Sequence, residues 1–386
     1  MAELSMLDAA CGLASTISAR AAETEALRSV PADLAADLAD IGIYRMYVPR
    51  SLGGREIEPA EAVQVVEVLS HADGSTGWTG LILNTTCFAA WLEPRVAAEV
   101  LGPDSNSGMA GLFGPMGQAT YEGDRDLRLS GRWAFNSGSH HASWFCEGAF
   151  VLDTDGKPRA LPTGRPDWRV LFLPATEVEI QDNWRVSGLR GTASNDVVID
   201  DVLIPEERTA SPMFETAPQN APHFRWTFFA LLSSLMAGFP LGVARRAVDE
   251  FAIIAGSKSR GGGPALGDTE TVAVAVSRCD AAVRAARAFV LEAVGEGWQQ
   301  ALAGDPLTLA QRIAIKSSAM HAMRSAVDVV DTLFSLAGGS ALFDDNVLQR
   351  CWRDVHAANH HIFYSNSHAE RAGKALLGRP TDLGLL

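Results

Sequence analysis

Apolar residues recur at helical spacing in the first part of the chain, from Leu4 to about Gly108. Ala, Leu and Glu repeat there at intervals of three and four residues, which puts apolar side chains on one face of a helix. Pro59 is suited to the first turn of one helix, and Asp73 offers a carboxylate that can cap the next. The pattern predicts a helical domain over residues 1–108.

The period changes to two in the middle of the chain. Short alternating or apolar runs are separated there by Gly, Asp and Pro, and the runs that indicate strands are 127–135, 145–152, 170–174 and 196–202. They predict a β-domain over residues 109–210.

Helical spacing returns in the last part of the chain. Runs rich in Ala and Arg predict long packed helices at 241–254, 271–300 and 307–336. We expect a C-terminal helical bundle over residues 211–386, which makes the whole chain an α+β protein with the order helices, β-domain, helices.

The last long helical segment, from Gly338 to Tyr364, carries three histidines. On a continuous helix His356 and His360 share a face, and His361 is turned away from it by about 100°. Histidine is the side chain most easily tuned to exchange protons near neutral pH. No Cys-x2-Cys or His-Glu-x2-His accompanies the three, so the sequence predicts no metal site.

The composition is that of an ordered globular protein, with 386 residues, 47% of them hydrophobic and 20% charged. The net charge of −14 argues against binding to nucleic acid or to an anionic membrane surface. Five scattered cysteines favour reduced thiols over a disulfide framework. The N-terminus has no signal-peptide pattern, and the apolar stretch 228–243 is interrupted by Ser, Gly and Pro as in a buried helix. We therefore expect a cytoplasmic protein.

Several short motifs, taken in order, resemble those of the acyl-CoA dehydrogenase superfamily over nearly the whole chain. They are Val48-Pro49 with Leu52-Gly53-Gly54, Ala72-Asp73-Gly74-Ser75-Thr76-Gly77-Trp78, Gly131-Arg132-Trp133-Ala134-Phe135-Asn136-Ser137-Gly138, Gly188-Leu189-Arg190-Gly191-Thr192-Ala193-Ser194, Asp200-Asp201-Val202-x-Ile204-Pro205 and Leu336-Ala337-Gly338-Gly339. The resemblance implies an N-terminal helical domain, a middle β-barrel-like domain and a C-terminal four-helix bundle. It also implies a flavin held between the β-domain and the bundle, in a homotetramer.

The resemblance assigns cofactor-binding roles to specific residues. Phe135 and Ser137 look like the segment that lies against the isoalloxazine, with the Ser137 hydroxyl directed at flavin N5. The remaining positions with this implied role are Arg190, Thr192, Ser194, Lys258, Arg260, Gly338 and Gly339. Lys258 and Arg260 resemble a basic pair that reaches a flavin phosphate.

One missing residue separates two chemistries within the superfamily. Many acyl-CoA dehydrogenases carry their catalytic glutamate about eight residues after an Arg-Asp pair, a position that is Ile362 in this chain. Isoleucine cannot remove a proton. The chain looks closer to the two-component flavin-dependent monooxygenases, on the motifs Ser137-Gly138-x-x-His141-Ala142-x-Trp144 and Trp352-Arg353-Asp354 followed by His361.

That branch implies a reaction with reduced FMN or FAD and O2 through a C4a-hydroperoxide, which oxygenates an aromatic or heteroatom-containing small molecule. His361 and Ser137 are the catalytic candidates, with His361 as the base. The substrate-binding candidates are Trp78, Phe113, His141 and Trp144, with Phe224 and Trp226 as further pocket walls. Several aromatic hydroxylases of the branch have a second histidine where this chain has Thr86, so phenol, amine, indole and sulfur substrates all stay open.

No dinucleotide-binding motif is present, since Gly111-x-x-Gly114-x-x-Gly117 has the wrong spacing. Electrons must come from outside, which predicts a separate NAD(P)H:flavin reductase as partner. Two alternatives remain at this point. One is an acyl-CoA dehydrogenase or oxidase with a relocated base, and the other is a flavin-binding homologue without catalysis.

Overall fold

The computed structural model describes residues 5–102, 106, 108–123, 125–259 and 263–386, except the side chain at 385. Helices dominate both ends of the chain. The α-helices in these residues are α1 (Met6–Ala19), α2 (Ala21–Leu27), α3 (Ala32–Asp40), α4 (Pro59–Ala72), α5 (Gly74–Ile82), α6 (Pro94–Leu101), α7 (Phe228–Ser257), α8 (Glu270–Leu302), α9 (Leu309–Ala337), α10 (Val347–Asn359) and α11 (Asn366–Leu376).

The strands lie between these helical parts and form one mixed sheet. They are β1 (Gly108–Ala110), β2 (Gly117–Glu122), β3 (Asp126–Asn136), β4 (Ala142–Leu152), β5 (Trp168–Pro174), β6 (Glu179–Gln181), β7 (Asn195–Pro205) and β8 (Thr209–Ala210). The strand order is β6-β7-β3-β2-β4-β5-β8, and β1 pairs with β4. The predicted α+β fold, with helices on both sides of a central β-region, is confirmed. The domain boundaries at 108 and 210 stay a prediction.

Helix α7 is the central helix of the C-terminal part. Thr227 caps its N-terminus by accepting the Ala230 N–H, and Pro240 lies inside it. Its length and apolar composition would suit a membrane span, but 89% of its most apolar window is buried inside the protein. It is therefore the core helix that the sequence predicts around residues 228–243.

Two glycines let α7 cross α4 at close range. A Cβ atom at Gly242 would collide with the backbone carbonyl oxygen of Glu67, and one at Gly238 would collide with that of Val63. Backbone atoms of α4 thus occupy the space that side chains of α7 would need. This crossing joins the N-terminal helices to the C-terminal bundle.

The segment that carries the three histidines is not one helix, which corrects the sequence prediction. α10 begins at Val347, capped by Asn346, and ends at Asn359. His361 follows with extended backbone (φ −66°, ψ 141°) and precedes a 3-10 turn over Ile362–Tyr364. The chain leaves the helix there because Phe363 and Tyr364 turn inward, and the Tyr364 hydroxyl donates to the Met236 carbonyl at 2.7 Å.

We predict that Gly242→Ala lowers the free energy of unfolding by about 2–3 kcal/mol, because the new methyl group must push α4 away from α7. Thermal and urea unfolding of the two proteins measure this difference. The matched control is Gly295→Ala in α8, where nothing lies within 4 Å of a new Cβ atom. There the higher helix propensity of Ala should raise stability by up to about 1 kcal/mol. Equal effects of the two changes would show that the close crossing does not limit stability.

Candidate functional site

The segment 188–194, here called the docking segment, is fixed between α5 and α10. The Leu189 N–H donates to Asp354 Oδ1 of α10 at 2.6 Å, and the Gly191 N–H donates to Ser75 Oγ of α5 at 3.1 Å. Burial, with the nearby Asp73 carboxylate adding to it, raises the pKa of Asp354 to about 7. The docking segment is therefore anchored through its backbone, and its hydroxyl side chains are held in place.

These hydroxyls form a chain that ends at Ser137. Thr192 Oγ1 lies 2.6 Å from Ser194 Oγ, which lies 2.7 Å from Ser137 Oγ, and the indole Nε1 of Trp78 donates to Ser137 Oγ at 3.1 Å. Thr192 donates its proton to the Leu189 carbonyl at 2.9 Å. Each hydroxyl has one proton, so Ser194 donates to Thr192 and Ser137 donates to Ser194. Ser137 thus retains an acceptor lone pair for a further donor.

Phe135 lies beside this chain at the end of β3. The pairing of β3 with β7 is irregular between Trp133 and Asn136, and Phe135 between them has φ +66°. Its ring is 68% exposed and meets the Trp184 ring edge-to-face at 6.2 Å. Residues with strained backbone cluster at active sites and ligand clamps, so this conformation agrees with the cofactor contact predicted for Phe135, which stays a prediction.

His361 contacts this group through Trp78. Its imidazole packs edge-to-face on Trp78, with ring centroids 5.4 Å apart, and stacks on Phe363 at 5.7 Å. Burial, and secondarily the positive charge of Lys316, lowers the pKa of His361 to about 4. The ring is therefore neutral near pH 7. The Phe363 N–H lies 3.4 Å from Nδ1, a contact too long to fix the tautomer.

The other histidines of the segment lie elsewhere. His356 Nε2 is 2.9 Å from Asp331 Oδ1, and His360 is exposed at the end of α10. His141, a predicted substrate contact, instead places Nε2 3.1 Å from Ser29 Oγ, and burial lowers its pKa to about 4. Of the three histidines on the last segment, His361 is the one that meets Trp78.

One of the remaining predicted residues belongs to the aromatic cluster of Trp78, His361 and Phe363, and two lie outside it. Phe113 belongs to the cluster, since its ring lies 6.2 Å from that of Phe363. Trp144 lies instead under the Arg208 guanidinium, 5.2 Å from its carbon to the ring centroid. Arg190 is directed away, donating to Glu25 at 3.1 Å.

A second group surrounds the predicted glycine pair. Lys258 Nζ donates to the Ala337 carbonyl and, at 2.7 Å, to Ser340 Oγ, so it borders Gly338 and Gly339. Arg260, its predicted companion, lies outside the described residues. The roles of both groups in holding a cofactor stay predictions.

A cavity of about 530 Å³ lies next to the aromatic cluster. Its wall includes Trp91, Phe224, Trp226, Phe228 and Arg312. It borders the cluster because the Phe228 ring lies 5.2 Å from that of Phe113. The two residues predicted as further pocket walls, Phe224 and Trp226, therefore line a real cavity.

Sequence reasoning missed the buried residues that complete the cluster. Phe239 packs edge-to-face on Trp78 at 5.1 Å, and Lys316 places Nζ 4.1 Å from the Phe363 ring centroid. Lys316 follows the apolar run Ile313-Ala314-Ile315, which is the one signal that could have drawn attention to it. A lone lysine on a long Ala-rich helix otherwise indicates a solvated charge.

Comparison with known proteins points to one family. Residues 5–93 match the family model described as acyl-CoA dehydrogenase, N-terminal domain, and residues 234–366 match acyl-CoA dehydrogenase, C-terminal domain. The crystal structure of a 3-HSA hydroxylase from Rhodococcus sp. RHA1 superposes with a TM-score of 0.90 at 27% identity, covering 99% of each chain.

Two relatives are similar along almost their whole length. An indole-3-acetate monooxygenase from Pseudomonas putida is 30% identical over 374 residues, covering 95% of this chain and 92% of the relative. The oxygenase component of an FADH2-dependent resorcinol hydroxylase from Rhizobium sp. (strain MTP-10005) is 29% identical over 389 residues, covering 95% and 92%.

These matches agree with the local chemistry of the site. The position of the dehydrogenase glutamate is Ile362, 56% exposed, and the neighbouring His361 is directed at Trp78. The chain therefore belongs to the acyl-CoA dehydrogenase family and, within it, to the flavin-dependent monooxygenases that act as oxygenase components of two-component systems.

Proposed function

We propose that the protein hydroxylates a small aromatic molecule, a phenol or an indole, at a site formed by Ser137, Trp78 and His361. The observation that carries this proposal is the continuous contact from the docking segment through Ser137 and Trp78 to a neutral imidazole. A hydroxyl suited to a flavin and a base suited to a substrate thus contact one indole ring, that of Trp78.

The residues present fit a reduced flavin. A reduced flavin carries a proton on N5, and the Ser137 hydroxyl has a free acceptor lone pair because its own proton is donated to Ser194. The exposed Phe135 ring offers an apolar surface for a flat ring system. When bound, a reduced flavin would supply two electrons to O2, so that one oxygen atom enters the substrate and the other leaves as water.

His361 serves as the base for the substrate. A neutral imidazole can accept a hydrogen bond from a phenol O–H or an indole N–H, which raises the electron density of the ring, and it can take that proton as the group becomes acidic during oxygen transfer. Thr86, which replaces a second histidine of related aromatic hydroxylases, is buried and donates to the Tyr44 carbonyl. Thr86 thus stabilises the fold, and His361 works without a second histidine at that position.

Surrounding side chains exclude water from the reacting groups. Trp78 is 4% exposed and Phe239 is fully buried. An apolar wall of this kind lowers the local dielectric constant and keeps water away from the reacting groups, which prevents side reactions. The substrate classes are those of the two relatives: an indole carboxylic acid and a resorcinol.

The protein needs a partner for its electrons. Oxygenase components of two-component systems receive reduced flavin from a separate reductase, and we propose an NAD(P)H:flavin reductase in the cytoplasm. We also propose a homotetramer, which would cover the exposed apolar side chains of Leu342 and Phe343 next to the glycine pair.

Rapid mixing of the protein, loaded anaerobically with reduced FMN or FAD, against oxygenated buffer tests the proposed function. An absorbing species should precede the oxidised flavin and persist longer than in free flavin solution, and its lifetimes rank the two flavins. Oxidation at the rate of free flavin, together with tight binding of oxidised FAD, would favour an acyl-CoA dehydrogenase or oxidase instead.

We predict that His361→Ala lowers the rate of substrate hydroxylation by on the order of 100-fold, the contribution of a positioned general base. The lifetime of the absorbing species without substrate should change little, because the imidazole does not hydrogen-bond to Ser137. The matched control is His360→Ala, which removes the adjacent exposed imidazole. Similar losses in both variants would contradict the role assigned to His361.

We predict that Ser137→Ala shortens the lifetime of the absorbing species about tenfold, the effect of losing one hydrogen bond. More of the consumed NAD(P)H should then appear as hydrogen peroxide, measured in a peroxidase-coupled assay. Ser130→Ala is the control, since that exposed hydroxyl on β3 accepts from the Asp201 N–H and belongs to neither predicted cofactor group. An unchanged lifetime in Ser137→Ala would remove Ser137 from the flavin site.

A further inference from the structure

Lys316 is a buried cation with few partners. It is 1% exposed on α9, and its Nζ donates to Ser233 Oγ at 3.2 Å while lying 4.1 Å from the Phe363 ring centroid. Among the described residues it forms no ion pair with a carboxylate. An ammonium has three donors, so one hydroxyl and one aromatic face leave it poorly compensated.

The electrostatic surroundings of Lys316 are positive. Burial lowers its pKa to about 7, and the nearby Arg371 guanidinium adds to this effect. Keeping such a group charged in a dry interior is costly unless an opposite charge joins it. Met or Leu would fill the same space without that cost, so the lysine at this position calls for a functional explanation.

Lys316 and the proposed base contact the same aromatic ring. His361 stacks on Phe363 at 5.7 Å, and Lys316 Nζ lies 4.1 Å from the same ring. Following the contacts from Ser137 through Trp78 and His361 to Phe363, the ammonium is at the end remote from the flavin-side hydroxyl. Along these contacts the order of groups is therefore the Ser137 hydroxyl, the His361 imidazole and the Lys316 ammonium.

The cavity of about 530 Å³ comes close to Lys316 along two helices. Arg312, which lines it, precedes Lys316 by four residues on α9, so both lie on one face of that helix. Phe228, also in the wall, precedes Ser233 by little more than one turn of α7. The wall of the cavity therefore lies about one helical turn from the amine and from its hydroxyl partner, and it contains a second cation.

We propose that Lys316 binds the carboxylate of the substrate, so that the protein acts on an aromatic acid whose ring lies beside His361. This inference rests on the proposed function and names its substrate class. The acid must carry its carboxylate on a ring substituent directed away from the oxygenated carbon. Indole-3-acetate, the compound in the name of one relative, carries its carboxylate on a ring substituent, whereas resorcinol has no carboxylate.

The test compares acids with neutral partners of nearly the same shape. Isothermal titration calorimetry measures the affinity of the whole protein for indole-3-acetate against indole-3-acetamide, and for 4-hydroxyphenylacetate against 4-hydroxyphenylacetamide. At least one acid should bind the wild type more tightly than its neutral partner. In Lys316→Met that preference should fall by on the order of 30- to 100-fold, the range for a lost charge-assisted hydrogen bond, while affinity for the neutral partner is kept.

Controls separate this role from a structural one. Lys374→Met removes an exposed lysine paired with Glu370 and should leave the acid preference unchanged. Lys316→Met should melt at or above the temperature of the wild type, because a costly buried charge is gone. If Lys316→Met does not fold, the affinities of the wild type for each acid and its neutral partner decide whether the protein prefers a carboxylate.

Two results would overturn the proposal: no acid preference in the wild type, or equal loss of acid and neutral ligands in Lys316→Met. The oxygenase function is measured independently, because the absorbing species of the rapid-mixing experiment forms without substrate. A protein that forms this species but prefers no acid keeps its proposed function and loses the carboxylate site. If the protein prefers acids but its bound flavin is oxidised at the rate of free flavin, the carboxylate site is supported and the proposed oxygenase function is contradicted.

Discussion

The arrangement of the site depends on one buried contact, the hydrogen bond from the Leu189 N–H to the Asp354 carboxylate. A carboxylate without solvent is costly, and the raised pKa of Asp354 reflects that cost. The Leu189 N–H offsets part of this cost, and the same hydrogen bond holds the docking segment against α10. Gly188 permits the approach, since a Cβ atom there would collide with the Arg353 carbonyl oxygen. Sequence-distant parts of the chain meet at this point, and the hydroxyls of Thr192 and Ser194 take their positions from it.

Aromatic rings pack around Trp78 and His361, and these apolar surroundings keep polar atoms of the site free to bind a ligand. The Ser137 hydroxyl and the His361 ring each have few partners, so both keep unused hydrogen-bonding capacity. In water such capacity would be filled by solvent. In a cluster of aromatic rings it is available for a flavin and a substrate, and each new hydrogen bond is stronger at the low local dielectric constant.

Local patterns were enough to predict the longest strands and helices, because strand alternation and helical spacing record which faces are buried, but the short strands β1, β2, β6 and β8 were not predicted. The strand run 127–135 lies inside β3, and the run 271–300 lies inside α8. Sequence spacing failed where tertiary packing decides. His361 lies outside the helix because Phe363 and Tyr364, two and three residues later, are buried in the core. Resemblance to a family identified Ser137 and His361 as candidates. The direction of the hydrogen bonds in the hydroxyl chain and the burial of Lys316 without a carboxylate partner in the described residues became visible only in the structure. Whether Trp144 or His141 meets a substrate stays a prediction, although both contact other parts of the chain.

Lys316 and His361 influence each other, which ties substrate binding to the strength of the base. The ammonium disfavours a second positive charge nearby and so contributes to the low pKa of His361. A carboxylate bound at Lys316 would neutralise that field at short range. The imidazole would then accept a proton more readily, although burial, the larger cause of its low pKa, would remain. The same anion that anchors the substrate would thus raise the basicity of the residue that activates it.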